Sequence, residues 1–188
     1  VGNSGAASIP GETVSVRDQY VTNYHRDHVL QFLDGLHSDQ PFFAFFSVFP
    51  PHAPAIPDSP DINLYGDYIY RGRAFDEVDL TDKPDWVSDP NRALVAKIAN
   101  YPDVDEFHRD QLRSLASVDR AVGAFIDKLE QLGRLDKTVI IFTSDNGFQW
   151  GEHGLHGKGM AYEESIRVPF TVYMPGVTPR RDPSLISA

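Results

Sequence analysis

The sequence predicts an α/β domain. Three observations point there. Two segments carry apolar residues at helical spacing, two apolar runs have the length of buried strands, and both runs end in turns dense with polar chemistry. In open α/β sheets, ligands sit beyond the carboxyl ends of strands. The turns at His52 and at Asp145 occupy that position, so they are expected to meet at one cleft.

In chain order, residues 1–17 are small and polar, with Ile9-Pro10-Gly11 as a turn, and read as a loop. From Asp18, Val21, Tyr24, His28, Phe32, Leu33 and Leu36 recur at spacings of three and four, which predicts a helix stopped at Gly35. His25 and His28 belong to that helix and read as structural. Residues 42–49 are apolar on both faces and predict a central strand covered on both sides. The strand ends at Pro50-Pro51-His52-Ala53-Pro54, a stiff turn that fixes the direction of His52.

Residues 55–104 are the least regular part. They read as an excursion that drapes over the domain and shapes a cleft, with a short helix over 90–99. From Asp105 a long helix is predicted. Leu112, Leu115, Val118, Val122, Ile126 and Leu129 form its apolar face, and Gly133 follows its end. Strands are expected at 138–143 and 170–174.

Composition narrows the function. With 41% hydrophobic and 12% aromatic residues, the chain is globular. No apolar run reaches the roughly 18 residues of a membrane span. A net charge of −10 argues against a general nucleic-acid surface but allows a small anion in a locally positive pocket. There is no cysteine, hence no disulfide, thiolate metal site or thiol nucleophile. Val1 and the 184–188 end read as cuts within a longer chain.

Asp145-Asn146 sets a carboxylate beside an amide oxygen. Hard divalent cations such as calcium take such ligands, though two are too few. The same residues suit an Asx turn closing a strand, and both readings stand. Lys158 lies among five glycines between Gly147 and Gly159, where backbone and ammonium can approach an anion closely. His52 can donate to an anionic oxygen or protonate a leaving group. His153 and His156, three apart in a glycine-rich loop, carry little weight as metal ligands. Ser88-Asp89-Pro90-Asn91-Arg92 fits a loose S-x-P-x-R pattern but reads as a loop with Pro90 near a helix start.

Residues 136–147 (Asp-Lys-Thr-Val-Ile-Ile-Phe-Thr-Ser-Asp-Asn-Gly), 151–159 (Gly-Glu-His-Gly-Leu-His-Gly-Lys-Gly) and 162–169 (Tyr-Glu-Glu-Ser-Ile-Arg-Val-Pro) resemble consecutive blocks of the sulfatases of the alkaline phosphatase superfamily. Residues 42–54 resemble the upstream strand ending in Pro-His-x-Pro, and 75–86 resemble an insertion of N-acetylglucosamine-6-sulfatases and related arylsulfatases. The resemblance covers roughly residues 18–180.

The resemblance implies an alkaline phosphatase-like sandwich, a mostly parallel sheet flanked by helices, of which residues 1–188 form a single partial domain. It implies calcium, or another divalent cation, on Asp145 and Asn146. It implies sulfate contacts from Lys158 and His52, with His52 assisting the leaving alcohol, and a sulfate-ester or sulfated-sugar substrate. It also implies a formylglycine nucleophile made from Cys or Ser in a C/S-x-P-x-R motif. That motif has no convincing counterpart here, so the chain reads as an internal, catalytically inactive segment that binds calcium poorly. An exported or lysosomal location follows from the resemblance; oligomeric state does not. The alternatives are a phosphodiesterase or phosphonate hydrolase of the same superfamily, and a non-catalytic binding module on this scaffold.

Overall fold

The computed structural model describes residues 6–9, 12–15, 19–38, 40–72, 74–75, 77, 79, 81–85, 104–153 and 155–184. The expected helix at 90–99 and the Ser88–Arg92 pattern lie outside the described residues. The chain divides into two compact units, Val1–Tyr68 with Asp105–Leu135, and Ile69–Val104 with Asp136–Ala188.

The first unit opens with two strands, β1 (Ala6–Ile9) and β2 (Glu12–Ser15), paired antiparallel with Ile9 opposite Glu12. The stretch expected as a loop over 1–17 therefore contains two short antiparallel strands at 6–9 and 12–15.

Helix α1 (Val21–Asp34) buries Val21, Thr22 and Leu33. It ends where expected, with the Gly35 N–H donating to Gln31 O at 3.1 Å. Helix α2 (Val104–Gln131) begins with Asp105 and Glu106, whose charges favour the positive end of the helix dipole. It ends at Gly133, whose φ of +61° is a left-handed turn that glycine adopts without strain. Of the expected apolar face, Val118 and Leu129 are buried. The buried face is also populated by Ser114 and Ser117, whose hydroxyls donate to the carbonyls of Gln111 and Ser114. Small self-satisfied side chains let the backbone of α2 be closely approached.

What approaches is residues 46–68. Phe125 meets Phe46 edge to face at 4.9 Å, and Gln111 donates to Pro51 O at 2.9 Å. Arg120 clamps Asp61 through two bonds of 2.6 and 2.8 Å and reaches Asp58 at 3.1 Å. Arg113 donates to Leu64 O and Arg109 to Tyr68 O. Arg113 and Arg109 also converge on Glu106, and their hydrogen bonds, that of Arg109 foremost, hold its carboxyl below the usual range.

Residues 42–49 are extended but form no strand. Phe43 and Phe45 are 85% and 81% exposed, so the expectation of a run covered on both faces fails. The reason is physical. A central strand needs a hydrogen-bonded neighbour, and none of the described strands pairs with this run. One side rests on α2 through Phe46; the other is bare.

The second unit holds β3 (Ile140–Thr143) and β6 (Phe170–Tyr173), paired antiparallel with Ile140 opposite Tyr173. Between them lie the two-residue strands β4 (Gln149–Trp150) and β5 (His156–Gly157), also antiparallel, and a single helical turn, α3 (Glu163–Ile166). The strands expected at 138–143 and 170–174 are thus present, shortened at their ends. The sheet expected to be mostly parallel differs: the described strands form three antiparallel pairs.

Candidate functional site

The apolar run Ile140–Thr143 must stop where its polar residues begin to bond to one another. Asp145 Oδ1 accepts from the Asn146 N–H at 3.0 Å, and Ser144 Oγ donates to Asn146 O at 2.9 Å. This is Asx-type turn chemistry, and it turns the chain out of β3. The Asp145 carboxylate keeps its Oδ2 outside these bonds.

Asn146 is fixed at both ends of its amide. Its Nδ2 donates to Gly147 O at 2.8 Å, which assigns Nδ2 and directs Oδ1 the other way. There Lys158 Nζ donates to Oδ1 at 3.1 Å. Two of the residues expected at the site, twelve apart in sequence, are therefore in contact, with Asp145 next to them.

Gly147 locks this turn to the next block. Its N–H donates to Ser165 O at 2.8 Å. A Cβ added here would lie 2.1 Å from Glu164 O and 3.1 Å from Arg167 O. Only glycine lets α3 come this close. Ser165 is buried and donates to Gln149 Oε1 at 3.0 Å, tying α3 to β4.

Beside the loop, His153 sits between carboxylates. Nδ1 is 2.7 Å from Glu77 Oε2 and Nε2 is 3.4 Å from Glu164 Oε2, while Tyr162 stacks on the ring at 4.3 Å. Lys83 approaches Glu77 at 3.2 Å. The hydrogen bond from His153, then that from Lys83, holds the Glu77 carboxyl below its ordinary value. Glu152 is 1% exposed, accepts from the Trp150 N–H at 2.7 Å and is bonded by the Tyr70 hydroxyl. These contacts hold Tyr70 and Glu77 against the loop of 149–153.

His52 belongs to the first unit. It is exposed; its Nδ1 is 2.7 Å from Ala53 O and its ring lies 5.0 Å from that of Phe49. A carbonyl only accepts, so Nδ1 carries the proton and Nε2 is the nitrogen turned outward. The prolines make the segment stiff, and the Gln111 bond to Pro51 O anchors it on α2.

Comparison with known proteins decides the family. The sulfatase sequence pattern matches residues 6–188. The chain belongs to the sulfatase family. It is 33% identical to an arylsulfatase of Chlamydomonas reinhardtii over 184 residues, covering 85% of this chain and 28% of that protein. It is 29% identical to the N-acetylglucosamine-6-sulfatase of Homo sapiens over 188 residues, covering 98% of this chain and 33% of that protein. In structure it is similar to the phosphonate monoester hydrolase of Agrobacterium radiobacter, with a TM-score of 0.68 at 23% identity, over 82% of this chain and 33% of that one. The fold is accordingly α/β of the alkaline phosphatase-like kind. The chain spans about a third of the length of these relatives.

The sulfatase loop has the donor chemistry a hard cation needs: one carboxylate oxygen outside the turn's bonds and one amide oxygen already facing a cationic group. Two ligands do not make a shell. Among the described residues no group of three or more His, Asp or Glu side chains could hold a metal ion. His153 braces the loop through its contacts with Glu77 and Glu164. Sequence reading singled out His153 but not its partners. Glu77 is 76 residues away, and nothing in local spacing announces it.

Proposed function

We propose that the protein containing this sulfatase-family chain is a sulfuric ester hydrolase acting on sulfated sugars, with residues 1–188 supplying part of one catalytic domain. The observation that carries the reading is the turn after β3, where the amide oxygen of Asn146 and the ammonium of Lys158 converge beside Asp145. The relatives named for N-acetylglucosamine-6-sulfate favour a sulfated sugar as substrate.

Asp145 and Asn146 would hold a divalent cation, calcium by resemblance. That cation, when bound, would draw negative charge from the sulfate oxygens. Lys158 is a point charge on a flexible stem and suits a sulfate oxygen, where it would stabilise charge growing as the S–O bond breaks. His52 has Nδ1–H held by Ala53 O and Nε2 turned outward; as the imidazolium, its Nε2–H would hand a proton to the leaving alcohol and leave the neutral Nδ1–H ring. The nucleophile and the remaining ligands are proposed to lie outside these 188 residues. Export or a lysosomal location accords with this reading; among the described residues no helix is long and apolar enough to cross a membrane.

The test uses the complete protein. With 6-sulfated N-acetylglucosamine as substrate, Lys158→Ala is expected to lower kcat by about 10²- to 10³-fold, the scale of losing one transition-state donor. His52→Ala should lose most activity toward poor leaving groups and least toward aryl sulfates. Full activity of Asp145→Ala and Asn146→Ala variants would sink the site. The 188-residue chain alone should not turn over an aryl sulfate with calcium present.

A further inference from the structure

Lys158 has a second relation to the site. Its ammonium lies 3.1 Å from Asn146 Oδ1, the oxygen assigned above to the cation, and that oxygen's direction is fixed by the bond from Asn146 Nδ2 to Gly147 O. A cation on the same oxygen would stand about 4 Å from the ammonium, and the two charges would repel. The lysine stem is flexible and its segment is glycine-rich, with Gly157 at φ +106° on one side and Gly159 on the other. The ammonium can therefore leave without rebuilding the turn.

We infer that Lys158 and the divalent cation exchange at Asn146 Oδ1. The ammonium keeps the amide oxygen aimed and neutralised. The arriving cation displaces it, and the displaced ammonium becomes available to an anionic substrate oxygen. Cation binding and readiness for the anion are thereby coupled through one side chain, with no movement of the backbone. This rests on the assignment of Asn146 to the cation and of Lys158 to the anion.

The exchange makes Lys158 a competitor of the cation, so its removal tightens cation binding. Calcium is titrated into the complete protein by calorimetry. Lys158→Met should lower the calcium Kd about two- to fivefold, the scale of a solvent-exposed charged hydrogen bond. In an Asn146→Ala background the same substitution should gain nothing, because the contested oxygen is gone. In the unsubstituted chain, amine-reactive labelling of Lys158, followed by mass spectrometry, should speed up by a similar factor when calcium is added.

A gain from Lys158→Met that persists without Asn146 marks through-space repulsion and overturns the exchange. So do an unchanged or raised Kd and an unchanged labelling rate; in those cases Asp145→Ala and Asn146→Ala can still weaken calcium binding, leaving the site assignment intact. If those two substitutions leave calcium binding of the complete protein unaltered, or the complete protein binds none at millimolar calcium, the cation assignment falls and the exchange falls with it.

Discussion

Gly147→Ala isolates the contact that joins the turn after β3 to the block that follows it. The added methyl would sit 2.1 Å from Glu164 O, 3.0 Å from Glu164 C and 3.1 Å from Arg167 O, all backbone atoms that no rotamer change can move. A carbon and a carbonyl oxygen need about 3.3 Å, so α3 must retreat by about 1 Å. Overpacking of this kind costs about 1–3 kcal/mol. The 2.8 Å bond from Gly147 N to Ser165 O would stretch beyond use, which adds about 1 kcal/mol. The stiffer unfolded chain offsets about 0.5 kcal/mol. The net loss is about 1.5–3.5 kcal/mol, or roughly 1 M in the urea midpoint. Gly159→Ala is the control: nothing lies within 4 Å of its added Cβ, and its effect should stay within about 0.5 kcal/mol. Equal urea midpoints for the two variants would refute the claim that close packing of α3, rather than turn flexibility, requires Gly147.

Arg120→Ala should destabilise the first unit by about 2–4 kcal/mol, because it strands Asp61, which is 2% exposed. Lys128→Ala, which removes the exposed pair with Asp34, should change the same urea midpoint by less than about 0.5 kcal/mol equivalent. Glu77 gives a pH signature. Its carboxyl is held low by His153 and then Lys83, so its contribution is fully present above the unfolded value of about 4.3 and disappears as pH falls through the lower folded value. The urea midpoint of the parent chain should therefore drop more steeply than that of Glu77→Gln as pH falls from 6 to 3; parallel curves would count against the His153 brace.

The helices were legible because their signals are local. Val21 to Leu33 repeat at helical spacing and Gly35 follows, and α1 runs Val21–Asp34. Gly133 marked the end of α2 because a left-handed residue is a local requirement. Strand existence at 140–143 and 170–173 was also readable, but strand pairing was not. An apolar run says that a segment wants cover and says nothing of which neighbour provides it. Residues 42–49 make the point: the composition of a buried central strand is present without any partner strand among the described residues. The strand pair at 6–9 and 12–15 was missed for the opposite reason. The Ile9-Pro10-Gly11 turn signal was visible in the sequence, but the low hydrophobicity of the flanking residues outweighed it.

The site divides along the same line. Asp145, Asn146 and Lys158 were readable as residue types whose chemistry suits a cation and an anion. The 3.1 Å bond between Asn146 and Lys158 was not, since it depends on β4 and β5 returning the chain across twelve residues. The two readings of Asp145-Asn146, turn closure and ligand pair, prove compatible, because they use different atoms. Asp145 Oδ1 and the Asn146 backbone close the turn. The Asn146 amide is oriented by Gly147 O and has its oxygen turned to Lys158. Turn chemistry therefore orients the amide proposed as a ligand. Weakening the turn should lower calcium affinity even where both ligand side chains are kept. Ser144→Ala removes the 2.9 Å bond to Asn146 O and the longer 3.4 Å bond to Asp145 Oδ1, while Asp145 Oδ2 and Asn146 Oδ1, the oxygens proposed for the cation, are not bonded to Ser144. It should raise the calcium Kd of the complete protein by about three- to tenfold, the worth of one neutral hydrogen bond. An unchanged Kd would show that the ligand oxygens are positioned by something other than the turn.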